Sequence, residues 1–137
     1  MNVRLLRKIQ KHILEEPKRF KMSSWVTRKE DGNETAYDTE VANVKEWKFA
    51  KCGTAACIGG WAIILSGKLE RARDTCNYGR MAGKLLEIDH PSENLLFGLC
   101  SWPEEYRDKF VNAKTLRARA QAAVARIDHF IKTKGAE

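Results

Sequence analysis

The chain has 137 residues, 43% of them hydrophobic and 31% charged, with a formal net charge of +7. Three prolines and nine glycines exclude a fibrous or disordered class, and the length and apolar content suit one compact domain with its own core. The four cysteines, at positions 52, 57, 76 and 100, are too few to staple a secreted scaffold, so reduced thiols and a cytosolic setting are expected.

Leu5, Leu6, Ile9 and Ile13 recur at three- and four-residue spacing among Arg4, Lys8, Lys11 and His12, which predicts an amphipathic helix over residues 3–16, ended before Pro17. The cations of this stretch also interrupt the continuous apolar run that a signal peptide requires. From Phe20 to Phe49 the periodicity is lost. Asp31-Gly32-Asn33 is a turn signal, with Trp25, Val26 and Thr27 on one side and Thr35 and Tyr37 on the other as arms of a short hairpin. Phe20, Met22, Trp25, Trp47 and Phe49 are expected to anchor this stretch onto the helices.

Helical signals then return. Thr54 is placed to cap a helix running through Ala62 to about Ser66 and stopped by Gly67, and Asp74 or Thr75 to cap another with Tyr78, Met81, Ala82, Leu85 and Leu86 on one stripe. Pro91 and Ser92 open a short helix through Leu95, Leu96 and Phe97, and Ser101-Trp102-Pro103-Glu104 has a capping-box pattern leading to Tyr106 and Phe110. Thr115 starts the last helix, whose stripe is Leu116, Ala120, Ala123, Val124, Ile127, Phe130 and Ile131, before Gly135. The expected fold is all-α: one multi-helix domain, with a basic N-terminal helix and turn over 1–22, an irregular or β-hairpin insertion over 23–50, and a helical core over 51–137. The longest strongly apolar run, Trp61 to Leu65, is far short of the roughly twenty residues of a membrane helix, so no membrane contact is expected.

The segment from Cys52 to Ala62 holds two cysteines, three glycines and several alanines, a composition chosen for backbone shape and close approach rather than bulk. It admits three readings. Gly53 and the helix start it precedes would leave the amides near Ala55, Ala56 and Cys57 free to bind an anion, with Lys51 adding charge; Lys51, Cys52, Gly53, Thr54, Ala55, Ala56 and Cys57 are then the candidate ligand site. The GxxxxGK[ST] pattern of nucleotide hydrolases is absent. In the structural reading Thr54 only caps the helix, and Ala56 and Gly60, four apart, let another helix pack very close. In the third, Cys57 or Cys52 is an activated thiol, and the short Cys-Gly-Thr string resembles papain-type nucleophile loops. Its base would be His90, because His12 lies among basic residues and His129 falls opposite the apolar stripe. The cysteine spacing does not suggest a metal site, and neither metal nor cofactor is expected.

The motif from Cys52 to Ala62, followed by Leu96-Phe97, Trp102-Pro103 and the run from Ala125 to Ile131, resembles a family of small bacterial and phage proteins with a CGTxxCIxGxA-type motif, over most of the chain from Pro17 onward. That family has no assigned activity, so the resemblance implies a setting and a fold without a mechanism.

Charge supplies the remaining signal. Residues 1–21 hold seven Lys/Arg against two acids and residues 114–137 hold six against two, which points to an anionic partner such as nucleic acid or an acidic protein. Arg4, Lys8, Lys11, Arg119 and Arg126 are the candidate surface, Arg119 and Arg126 projecting from one flank of the last stripe. The preferred function is a non-enzymatic binding module for an anionic partner, a nucleic acid, a nucleotide or an acidic protein surface, in a phage or host regulatory setting; the alternative is a cysteine-dependent hydrolase or transferase using Cys57 or Cys52. A regulatory factor working through protein contact would instead show an exposed apolar patch at Trp25, Trp47 or Trp102.

Overall fold

The computed structural model describes residues 1–23, 25–30, 33–37 and 54–136. Among them run seven α-helices: α1 (Val3–Glu15), α2 (Ile58–Leu65), α3 (Leu69–Thr75), α4 (Tyr78–Leu86), α5 (His90–Phe97), α6 (Glu104–Val111) and α7 (Leu116–Thr133). The all-α class holds for the body of the molecule. A small antiparallel sheet is added to it, formed by β1 (Val26–Glu30), β2 (Asn33–Tyr37) and β3 (Thr54–Ala56) in the order β2-β1-β3.

Apolar spacing explains the outer helices. In α1, Leu5, Leu6, Ile9 and Ile13 are buried while Arg4, Lys8 and Lys11 stay exposed, and Asn2 caps the first turn by accepting from the Leu5 amide at 3.0 Å. The same residue ties the start of the chain to the end of α4, its amide donating to the Leu86 carbonyl at 2.7 Å. Helix α7 begins as expected, with Thr115 Oγ1 accepting from the Ala118 amide at 3.1 Å. It ends with Lys134 and Gly135 at positive φ, the left-handed stop that glycine tolerates best. Helix α1 packs along α7, where Gln10 Nε2 donates to the Val124 carbonyl at 3.0 Å and Arg7 pairs with Asp128.

Helix α2 is the centre. Six successive residues from Ile58 to Ile63 are buried, so this helix has no polar face and contacts α1, α4 and β3 at once. It is shorter than expected. Residues 54–56 form a strand instead of the first helical turn, pairing Val26 with Ala56 and Thr27 with Ala55. Cys57, not Thr54, is the cap, its Sγ accepting from the Gly60 amide at 3.4 Å. The hairpin forms where the turn signal places it, with Glu30 paired to Asn33 and Val26 to Tyr37.

Three helix boundaries also move. Asp74 and Thr75 end α3, which periodicity did not reveal, and Asn77 precedes α4. Asp89 opens α5 by accepting from the Ser92 amide at 3.0 Å. Ser101 sits in a 3-10 turn and Pro103 precedes α6 without a side-chain cap, so the capping box does not form. Trp102 is 2% exposed and donates from Nε1 to the Leu96 carbonyl at 3.0 Å; it belongs to the core and makes no exposed patch. Phe20 is buried against the edge of Phe110, as an anchor should be, whereas Trp47 and Phe49 lie outside the described residues.

Glycines decide how the sheet meets the helices. A Cβ on Gly60 would run into the Trp25 carbonyl oxygen, one on Gly59 would lie 2.5 Å from Trp25 Cζ3, and one on Gly79 3.3 Å from Trp25 Cη2. The close approach expected at Gly60 is therefore real, but its partner is the chain entering β1 rather than another helix. Gly60→Ala gains about 1 kcal/mol in helix propensity, yet the overpacking cost of roughly 1–3 kcal/mol should exceed it. Urea unfolding of this variant should show a net loss of stability; a gain would contradict the packing.

His12 packs at 4.0 Å centroid distance on the Trp61 ring, with the Arg19 guanidinium 4.7 Å from the same ring. Its Nε2 is buried without a hydrogen-bond partner among the described residues, and desolvation, then the Arg19 charge, lower its pKa. The unfolded chain thus binds more protons at this group than the fold does, so its contribution is complete above about pH 6.5 and lost as pH falls toward the lower folded pKa. His12→Gln should flatten the pH dependence of stability in that window; an unchanged slope would show that another group carries it.

Candidate binding cleft

The motif does not place its residues as expected. Ala55 and Ala56 are fully buried within β3, and the Ala56 carbonyl accepts from the Lys21 amide at 3.1 Å, so they are spent on the sheet and cannot cradle an anion. The helix start lies at Ile58, and its Gly60 amide is taken by Cys57. Thr54 contributes backbone to the strand, while Lys51, Cys52 and Gly53 lie outside the described residues.

What α2 and its neighbours build is a cleft of about 1010 Å³ between the chain at Met22–Trp25 and helices α4 and α5. Trp25 and Phe97 give it an aromatic wall, their rings 5.5 Å apart and edge to face. Asn77, Arg80 and Lys84 line it from α4 and the residue before it; His90, Glu93 and Asn94 line it from α5. Local sequence explains each placement. Arg80 and Lys84 are one helical turn apart on α4 and share a face, and the Asp89 cap sets the first turn of α5 so that His90, Glu93 and Asn94 fall on one side. Hydrogen bonds from Ser92 hold the Asp89 carboxyl below the usual carboxylate range.

Cys57 and His90 both border this cleft. Yet Cys57 is 4% exposed, and the His90 side chain makes no hydrogen bond, ion pair or ring contact among the described residues. A nucleophile and base held within hydrogen-bond reach, and a third group orienting the base, are not assembled. The other two histidines are committed elsewhere: His12 lies against Trp61 rather than among the surface cations, and His129 lies 5.2 Å from the Tyr106 ring. No three His, Cys, Asp or Glu among the described residues come together as a metal site.

A second depression of about 380 Å³ opens beside the first and shares Asn77, Arg80 and Lys84 with it. Lys68 and Arg71 complete a set of four cations, and no carboxylate lines it among the described residues. None of the four is in an ion pair among the described residues. Sequence reasoning missed this cluster because the four are spread over two short helices and the residue before the first, Lys68, a stretch whose charge density is ordinary; the spacing of Arg80 and Lys84 was the one available signal.

The terminal helices fare differently. Arg4, Lys8 and Lys11 are exposed on α1, and Arg119 is half-buried on α7. Arg126 is fully buried, donating from Nη2 to the Leu95 carbonyl at 2.8 Å with its guanidinium 5.5 Å from the Phe130 ring. It clamps α7 to α5 and cannot belong to an external surface, so the expected pairing of Arg119 with Arg126 fails. No helix among the described residues is long and apolar enough to cross a membrane. No protein-family model, curated protein or solved structure matches the chain.

The three thiols described here differ in access: Cys76 and Cys100 are exposed and Cys57 is buried. A short pulse of iodoacetamide on the native protein, followed by peptide mapping, should label Cys76 and Cys100 and spare Cys57. Preferential labelling of Cys57 would instead mark it as an activated nucleophile.

Proposed function

We propose that this protein is a non-enzymatic binding module for an anionic partner, and that the partner's negative groups sit on the cations of α3 and α4. One observation carries the reading: Lys68, Arg71, Arg80 and Lys84 line a concave depression with no carboxylate among the described residues. Concavity matters because several cations then face one ligand and their fields add in a region partly shielded from water. On α1, by contrast, Lys11 is engaged with Glu15 and Arg7 with Asp128, which weakens the outward field of that helix. A bacterial or phage regulatory setting and a cytosolic location accord with the motif resemblance and with the thiol content.

The cysteine-dependent reading, through Cys57 or Cys52 with His90, is supported only by the shared border of Cys57 and His90 on the cleft.

Arg80→Glu combined with Lys84→Glu should lower the salt concentration that elutes the protein from heparin and reduce the salt slope of binding by about two. Both side chains are exposed, so the fold should survive. The matched reversal Lys8→Glu with Lys11→Glu should have a smaller effect. A wild-type protein that shows no salt-sensitive retention would dismiss the reading altogether.

A further inference from the structure

We infer that the anion held by the α3–α4 cations is the phosphate of a nucleotide unit, and that its base enters the adjoining cleft against Trp25. This rests on the anion-binding reading and adds the identity of the ligand. The two depressions share Asn77, Arg80 and Lys84 as lining residues, so a ligand bonded to Arg80 and Lys84 lies at the border of the cleft that holds the aromatic wall. The cleft volume of about 1010 Å³ lies at the top of the range of small-molecule sites, roughly 300–1,000 Å³.

The wall suits a planar ring. Trp25 is half-buried, its indole seated on the side of α2 and α4 that glycine leaves open and braced by Phe97 at 5.5 Å. A base stacks on such a platform regardless of its identity. The edges suit a base as well. The side chains of Asn77, Glu93 and Asn94 line the cleft and make no hydrogen bond among the described residues, so their donors and acceptors suit ring nitrogens and exocyclic groups. Glu93 also disfavours a phosphate inside the cleft, which sets the direction: charge over Arg80 and Lys84, ring toward Trp25.

Other anionic partners fit less well. A lipid surface would need exposed apolar side chains beside the phosphate site, but Met81 and Leu85, which line it, are half-buried, and the exposed large hydrophobics Val3, Leu14, Leu65 and Val111 line neither depression. An acidic peptide would use the cations and leave the aromatic wall empty.

Titration of the full-length protein with inorganic phosphate, ribose 5-phosphate, adenosine 5′-monophosphate, a single-stranded octanucleotide and octaglutamate tests this. Calorimetry gives the affinities and two-dimensional NMR follows the Trp25 indole N–H, identified from its loss in Trp25→Phe. The expected result is that the mononucleotide binds at least about tenfold tighter than ribose 5-phosphate and shifts the Trp25 indole signal, while Arg80→Glu with Lys84→Glu weakens both ligands. An octanucleotide that binds still tighter, with a steeper salt dependence, identifies a single strand as the source of the nucleotide; equal affinity identifies the free nucleotide. Either supports the inference. Equal affinity for the mononucleotide and ribose 5-phosphate, with the Trp25 signal unmoved, overturns the base site and leaves the anion groove standing, as does octaglutamate matching the octanucleotide. No binding of any of these anions overturns the underlying reading as well. Trp25→Leu should erase the preference for the mononucleotide; the comparison of ligands on wild-type protein decides the matter even if that variant does not fold.

Discussion

The contact on which the architecture depends is the seating of Trp25 across Gly59, Gly60 and Gly79. At Gly60 the Trp25 backbone comes so near to α2 that no side chain fits between them, and at Gly59 and Gly79 the indole itself occupies the volume of the missing side chains. One residue therefore fixes three elements: it starts β1, it lies along α2, and it reaches α4. The glycines sacrifice helix propensity, on the order of 1 kcal/mol each relative to alanine, and the burial of a large aromatic ring offsets it. Because α2 is buried on every side, a shift of Trp25 would be transmitted to the whole core rather than absorbed at the surface.

The positive charge of the chain divides into cations with structural employment and cations without it. Arg126 is buried and bonded to the end of α5; Arg19 lies over Trp61; Arg7 bridges the terminal helices to Asp128. Such surface pairs contribute at most about 1 kcal/mol, but they neutralise the outward field locally. Lys68, Arg71, Arg80 and Lys84 instead line one depression together, and like charges gathered in this way repel one another, a cost that an anion bound among them would relieve. That contrast, rather than net charge, distinguishes a binding surface from a solvated one.

Periodicity made α1 and α7 legible, since each presents an apolar stripe against a polar remainder, and the Asp31-Gly32 signal located the hairpin. Strand β3 was hidden. Thr54, Ala55 and Ala56 have no alternation to show, and alanine favours helices, so only their pairing with β1 and with the chain at Phe20 makes them extended. Helix α3 was hidden because its seven residues are mostly polar and, among the side chains described, bury only Ala72 outright. Arg126 was misplaced for a different reason: a guanidinium on the edge of an apolar stripe reads as a flank residue, and its burial depends on a carbonyl thirty-one positions away. The cleft itself joins the approach to β1 with two helices far along the chain, a juxtaposition that local spacing does not encode.

The distinctive motif and most of the residues that line the cleft are thus different residues with linked tasks. Cys57 uses its sulfur as a helix cap and is almost wholly buried at the border of the cleft; a serine there would accept the Gly60 amide more strongly, but a thiol caps the helix at lower desolvation cost against an apolar core. Ala55 and Ala56 are small enough for β3 to lie between β1 and the chain at Phe20–Lys21. Together they hold Trp25 at the wall of the cleft and α4 beside it, so that Arg80 and Lys84 point into open space instead of into the core. A segment of glycine, alanine and buried cysteine can therefore set the shape of a cleft from the core beneath it, through the close approach that only small residues permit.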